Sequence, residues 1–167
     1  MKRFCAMFFM LTALLAVSSS AYGAQGLRFE ATLSGAQEVP PVETNTTEEI
    51  KVDFDAGLTQ AEFDLRVFDG IGVRVAHFHC GRAGENGPVV VDLFGPVEEG
   101  VDVDGELAEG TVTSADFRVV DCVPNIGRPV NNIASLAFAA RDGLIYANVH
   151  TLAHTGGEIR GQLLERK

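Results

Sequence analysis

Polar and apolar residues alternate along three separate segments of the chain, and this pattern constrains the fold most strongly. Residues 27–33, 50–55 and 61–67 each place apolar side chains on one face and mostly charged side chains on the other. A repeat of two residues is that of a β-strand with one buried face. The pattern therefore predicts antiparallel strands that pack on a core along one face and meet solvent along the other.

Four later segments extend this β pattern. Residues 73–79 and 89–94 are apolar on both faces, which predicts more central strands, and residues 146–150 and 158–162 alternate again. Short strands separated by turn-forming residues are typical of two-layer or closed β architectures. We therefore predict a mostly β fold, an antiparallel β-sandwich or a partly open barrel.

Helical signals are confined to two short segments. Residues 113–116 have the order of a helix start, and residues 131–141 have apolar side chains at helical spacing before Gly143. We expect one or two short helices inserted among the strands. Residues 102–105 are interpreted as a turn, because their glycine comes too early for a twelve-residue calcium loop.

The first 24 residues have the order of a secretory signal peptide. A basic start precedes an apolar run over residues 4–17, which is too short to cross a bilayer of about 30 Å, and small residues follow. Three small residues suit the position before the cut: Ala21, Gly23 and Ala24. Cleavage there would leave one domain over residues 25–167, secreted or periplasmic, with no membrane span.

The charge of the chain limits its partners. It has 13 basic and 23 acidic residues and a formal net charge of -10. Such a surface repels phosphate backbones, so we expect no nucleic acid as a partner. Cations and basic protein surfaces fit better, and the alternative is that the charge only keeps an exported protein in solution.

Two cysteines remain if the signal segment is removed. In an oxidising compartment Cys80 and Cys122 most simply form one disulfide, which closes a loop of about 42 residues. The alternative is two separate buried thiols. Neither cysteine has a second cysteine at the CxxC spacing of many metal sites.

Three histidines fit a metal site. His77 and His79 are two residues apart on a predicted strand, so both point to one face, and His150 ends another predicted strand. Three imidazoles can bind zinc or copper and leave a coordination position open. Additional donors are a carboxylate or a fourth imidazole from this set: Glu158, Asp92 or His154. The alternative is a hydrogen-bonding network without metal.

Catalytic patterns are weak. The serines lack the GxSxG order of a nucleophile elbow, and His79 and Cys80 are strand neighbours that point to opposite faces. The glycine-rich residues 81–88 join two predicted strands and have no following helix, so they predict a hairpin turn and not a phosphate loop. The residues thus favour a protein that is not an enzyme.

Five stretches, in order, resemble the CHRD (chordin) domain family: residues 33–41, 76–81, 86–91, 146–151 and 157–163. The resemblance implies an extracytoplasmic β domain with a protein partner, and it brings no established catalytic residues. The recurring residues of the family correspond here to one polar set: His77, His79, Asn148, His150, Glu158 and Arg160. We therefore expect an exported, non-enzymatic binding or structural module, with a metal-binding domain as the alternative.

Overall fold

The computed structural model describes residues 26–166, so the predicted signal segment lies outside the described residues. Strands make up 49% of the described residues and helical residues 13%, which confirms the mostly β class. The elements run in the order β1 Arg28–Ser34, β2 Thr47–Phe54, β3 Gln60–Cys80, β4 Val89–Phe94, β5 Val101–Thr113, α1 Val123–Ile126, α2 Ile133–Arg141, β6 Ile145–Thr151, β7 Ile159–Gln162 and β8 Leu164–Glu165.

One long bent strand closes the sheet into a partly closed barrel. The strands lie in the order β2, β1, β7, β6 and β3, and β3 pairs again with β2. Residues 60–68 of β3 lie between β2 and β5, while residues 73–80 lie between β6 and β4. All of these pairings are antiparallel. The bend between the halves has left-handed backbone at Asp69 (φ 55°) and Gly72 (φ 63°).

The predicted alternation places the core correctly. Phe29 and Leu33 of β1, Ile50 of β2, and Leu65 and Val67 of β3 are fully buried. Burying each side chain of this kind contributes about 1.5–3 kcal/mol. The two-residue repeat of these strands therefore supplies one continuous wall of the barrel interior.

One ionisable residue breaks this apolar wall. Glu48 lies on the inward face of β2, opposite Leu33 and Val67, and is 1% exposed. Among residues 26–166 neither of its carboxylate oxygens has a hydrogen-bond partner. Burial raises the pKa of Glu48 well above its ordinary value, because the charged form loses its hydration.

The helix prediction is confirmed at α2. Asn132 caps its N-terminus by accepting a hydrogen bond from the Ser135 amide at 2.9 Å, and the helix ends just before Gly143. Leu136 and Ala137 of this helix are fully buried in the core. The predicted helix start at residues 113–116 forms one turn of 3-10 helix with a capping box.

The turn expected at residues 102–105 is wrong, because these residues lie inside β5. Most residues of β5 are exposed or half-buried, and its register against β3 shifts in three places. A strand that buries neither face well does not need strict alternation. Residues 101–107 do alternate apolar residues or glycine with three acidic residues, but Asp104-Gly105 is also a turn signal, and the turn interpretation follows that glycine.

The predicted disulfide joins the end of β3 to the start of α1. Cys80 and Cys122 are bonded and fully buried, and their Cα atoms are 6.0 Å apart. A closed loop of this length lowers the entropy of the unfolded chain by an amount worth about 4 kcal/mol. Within the described part of the chain, no helix has the length and apolar character needed to cross a membrane.

Candidate functional site

The second half of β3 and its neighbour β6 are buried on both faces. Ala76 and Phe78 of β3, with Ala147 and Val149 of β6, point into the core. The opposite side, here called the polar face, carries the following residues of β3, β6 and β7: His77, His79, Tyr146, Asn148, His150, Arg160 and Gln162. This pairing brings together the histidines that the sequence predicted would converge.

Arg160 fastens a loop over the polar face. Its guanidinium lies 3.5 Å from the ring centroid of Tyr146 and donates hydrogen bonds to the carbonyls of Arg82 (2.8 Å) and Glu85 (2.6 Å). It also donates to Asn86 Oδ1 at 3.2 Å, and Arg160 itself is 2% exposed. The glycine-rich residues 81–88 are therefore a cover for buried polar groups as well as the predicted strand connection.

The three histidine rings pack against one another. The ring centroid of His77 lies 5.6 Å from that of His79 and 5.1 Å from that of His150. One ring nitrogen of each histidine lies within 4.8 Å of the other two. His77 is 8% exposed and His79 is 7% exposed, so the cluster is largely closed to solvent.

Two of the rings are hydrogen-bonded to backbone carbonyls through Nδ1, and the third lies beside a carboxylate. His79 Nδ1 lies 2.9 Å from the Gly87 carbonyl, and His150 Nδ1 lies 2.9 Å from the Thr155 carbonyl. His77 Nε2 lies 3.4 Å from Asp92 Oδ1. Since a carbonyl only accepts, both Nδ1 atoms are placed to donate, an arrangement that in a neutral ring leaves the lone pair on Nε2.

Two nitrogens of the cluster have no hydrogen-bond partner within the described residues. They are His77 Nδ1 and His150 Nε2, and both are buried. Unpaired buried polar atoms are rare in folded proteins because each costs about 1–3 kcal/mol. These two atoms mark the cluster as a place where the polar face is incomplete.

The Nε2 atom of His79 lies beside an oxygen that is itself a hydrogen-bond acceptor. His79 Nε2 lies 3.0 Å from Asn148 Oδ1, while the amide nitrogen of Asn148 donates to Glu38 Oε1 at 3.2 Å. Burial lowers the pKa of His79 to about 4, so its ring is neutral at pH 7. With the His79 proton on Nδ1, the lone pair of Nε2 faces the Asn148 oxygen, which is also an acceptor. A cation bound to both atoms would remove their repulsion.

The same physics keeps His77 neutral. Burial, followed by the nearby His150 and His79 rings, lowers the pKa of His77 to about 4. Asp92, on the other side of this ring, is itself held by Arg118, whose Nε and terminal nitrogen donate at 2.9 and 2.6 Å. The ring of His77 is thus oriented by a carboxylate that is fixed in place.

Glu158 is directed away from the histidine cluster. Its carboxylate accepts hydrogen bonds from Thr44 (2.6 Å) and Thr46 (2.7 Å) at one oxygen and from Thr151 (2.5 Å) at the other. Burial raises the pKa of Glu158, but the threonine hydroxyls outweigh it and the net shift is downward. Glu158 and His154 line a separate cavity of about 560 Å³.

The predicted polar cluster is brought together in part. Asn148 stands directly opposite Arg160 in the pairing of β6 with β7. Sequence reasoning missed Glu38 and Arg118, which reach the site from outside these strands. No spacing pattern could have identified them, because each reaches the site from an irregular segment outside the strands.

The comparison with protein-family models identifies the family of the chain. The CHRD domain family model matches residues 29–163, and the chain therefore belongs to the CHRD domain family. The family supports a non-enzymatic module in general, and its members are in general extracellular or periplasmic. No curated protein and no solved structure matches the chain.

Proposed function

We propose that this protein is an exported, non-enzymatic binding module that holds one zinc or copper ion between His77, His79 and His150. One observation carries the proposal. One ring nitrogen from each of the three histidines converges within 4.8 Å, two of the rings are hydrogen-bonded to carbonyls, and the third lies beside a carboxylate. Metal-binding histidines have this arrangement, because the second contact fixes the ring and its tautomer.

The distances fit an ion of this class. Zinc and copper bind imidazole nitrogen at about 2.0–2.1 Å, so in tetrahedral geometry two nitrogens on one ion lie about 3.4 Å apart. The three nitrogens lie within 4.8 Å of one another, so ring movements that shorten these distances by at most about 1.4 Å would reach that separation. Imidazole ligands without a thiolate suit zinc and divalent copper, and three ligands leave a position for water or Asn148 Oδ1.

Because the site is closed to solvent, a bound ion with a structural role fits it better than an ion that acts on a substrate. The loop fastened by Arg160 covers the polar face, and His77 and His79 are each less than 9% exposed. Asp92 fits the role of orienting His77 and not that of a direct ligand, because it already binds Arg118. Glu158 is not included among the ligands, since three hydroxyls occupy its oxygens.

The site of action is proposed to be outside the cytoplasm, with a protein partner. Support comes from the predicted signal segment over residues 1–24, from the disulfide between Cys80 and Cys122, and from the location of the family in general. Disulfides persist in oxidising compartments and are rare in the cytosol. Sequencing the N-terminus of the protein from the secreted or periplasmic fraction should give a start at residue 22, 24 or 25.

Elemental analysis by mass spectrometry tests the metal site. Protein without a histidine tag, purified from the oxidising compartment, should contain about one equivalent of zinc or copper. The double variant His77→Ala/His79→Ala should lose the ion, and His154→Ala should keep it. His154 is the matched control because it is the one histidine of the chain outside the cluster.

Circular dichroism of the same proteins separates loss of metal from loss of fold. The proposal requires the double variant to keep the spectrum of the unaltered protein, and the milder His150→Gln should also lose the ion. An unaltered protein that is metal-free and does not bind added zinc or copper would refute the metal site. In that case the cluster is a hydrogen-bonding network.

A further inference from the structure

The outer edge of β5 is open. This strand of 13 residues pairs with β3 and with no other strand among residues 26–166. Along the edge of a sheet, alternate residues turn their backbone N–H and C=O groups outward without partners. A long open edge of this kind is a template onto which another extended chain can add as a strand.

The charge beside this edge is of one sign. The segment over residues 98–109 contains no lysine or arginine and six exposed acidic residues: Glu98, Glu99, Asp102, Asp104, Glu106 and Glu109. None of the six forms a salt bridge with a described residue. Arg66, which stands opposite Glu106, lies 3.2 Å from Asp64.

A cavity and an apolar ridge lie at the start of the same edge. The cavity has a volume of about 350 Å³ and is lined by Ile71, Val103 and Gly70 with three carboxylates, Asp69, Asp102 and Asp104. The bend of β3 leaves Ile71 74% exposed, and the neighbouring Leu152 is 52% exposed. An apolar floor with an acidic rim suits the aliphatic stem and charged end of a lysine or arginine.

We propose that the edge of β5 binds an extended basic segment of a partner protein, which adds as a further strand and places a basic side chain in the cavity. Backbone hydrogen bonds would supply affinity, and the carboxylates would select lysine or arginine over acidic side chains. The inference deepens the proposed function, since it rests on the role of the protein as a binding module and names the chemistry of its partner.

Charge also decides against a second copy of this chain. Two β5 edges paired with one another would set aspartates and glutamates directly opposite, and like charges at that position are destabilising. The same charges protect the open edge from self-association, a common feature of natural edge strands. An extended basic segment can pair with the free backbone groups of β5 and also complement its acidic side chains.

Two labelled peptides test the proposal on the full chain as purified. The first alternates lysine and valine, and the second has the same sequence with every backbone nitrogen methylated, so it keeps its charge but cannot donate backbone hydrogen bonds along either edge. Fluorescence anisotropy at physiological ionic strength should show saturable binding of the first peptide and at least tenfold weaker binding of the second. Amide exchange should slow along Val101–Thr113 when the first peptide binds.

Matched charge variants locate the site. Asp102→Asn/Asp104→Asn/Glu106→Gln should weaken binding of the first peptide by about tenfold, because each pair contributes a fraction of a kcal/mol. The control set Glu30→Gln/Glu49→Gln/Glu165→Gln removes the same charge from other exposed positions and should leave binding unchanged.

Three outcomes would overturn the inference: no saturable binding, equal binding of both peptides, or equal weakening by both sets of variants. The last two would mean that only the net charge attracts the peptide. Metal content read on the same samples keeps the two proposals apart. Peptide binding that persists in the folded His77→Ala/His79→Ala variant supports the edge whether or not the ion is found.

Discussion

The two halves of β3 belong to one continuous strand and have opposite surroundings. In residues 60–68 alternate side chains reach solvent, and the inward ones join an apolar core. In residues 73–80 both faces are covered, the inner by the core and the outer by the loop that Arg160 holds. A strand in a barrel can therefore change from half-exposed to buried within one bend.

The difference shows that polar side chains indicate a functional site only where they are buried. On the first half a charged side chain meets water and needs no partner. On the second half each polar atom must find a partner in the protein, and most do so. The exceptions, His77 Nδ1 and His150 Nε2, stand out only because the remaining contacts of the polar face are satisfied.

The largest expected effect is on the free energy of unfolding when Phe78 of the second half is truncated, and Phe68 of the first half is the comparison. Phe78 is fully buried on the second half, and Phe68 is 39% exposed on the first. Phe78→Ala should lower the free energy of unfolding by about 3–5 kcal/mol, because it leaves a cavity in the core. Phe68→Ala should lower it by less than about 1 kcal/mol. Urea unfolding measures both, and similar losses would mean that the halves do not differ in burial.

Arg160→Ala should have the next largest effect. It removes the contact with Tyr146 and the donor of three part-buried hydrogen bonds to residues 82–86, so we expect a loss of about 3 kcal/mol. Arg166→Ala is the control, since Arg166 binds the half-exposed Asp53 at 3.0 Å. That variant should lose less than about 1 kcal/mol.

Hydrogen exchange of residues 81–88 sharpens the Arg160 prediction. If the guanidinium fastens this loop, its amides should exchange faster in Arg160→Ala and at the original rate in Arg166→Ala. An unchanged exchange rate in the Arg160 variant would show that the loop covers the polar face without that side chain.

The smallest effect is expected at Glu48, the unpaired carboxyl on the apolar side opposite the first half of β3. Because its pKa is raised in the folded protein, the native state holds a proton that the unfolded chain releases above about pH 4.5. The contribution of Glu48 to stability is therefore greatest below that pH and falls as pH rises toward the folded pKa. Glu48→Leu should stabilise the protein at pH 7 by about 2 kcal/mol.

Unfolding of both proteins at pH 4 and pH 7 measures this prediction. The gain from Glu48→Leu should be larger at pH 7 than at pH 4, and Glu49→Leu, a neighbour that faces solvent, should show no such difference. An equal gain at both pH values would mean that Glu48 has found a partner or water in solution.

Much of the fold could be predicted because its cause is local. Leu33, Ile50 and Leu65 follow a two-residue repeat, and that repeat alone indicates which side of a strand is buried. The segment over Val101–Thr113 is interpreted differently from its sequence, because Gly105 favours a turn although residues 101–107 alternate. Its strand conformation comes from pairing with β3, a contact that the local sequence does not record.

The candidate site could likewise be predicted in part, where its cause is local. The sequence placed His77 and His79 on one face and His150 at the end of another strand, because a strand sets side-chain direction residue by residue. It also determined the family, the mostly β class and the two cysteines available for a disulfide.

Only the tertiary structure decided which groups complete the polar face. The carbonyls of Gly87 and Thr155, the pair of Asp92 with Arg118, and the cover held by Arg160 come from segments far apart in the chain. The tertiary structure also placed the Glu158 carboxylate against threonine hydroxyls and left the Glu48 carboxyl without a hydrogen-bond partner among the described residues. The physical reason is that strand direction is local, whereas burial and hydrogen-bond partners depend on which distant segments the closed barrel brings together.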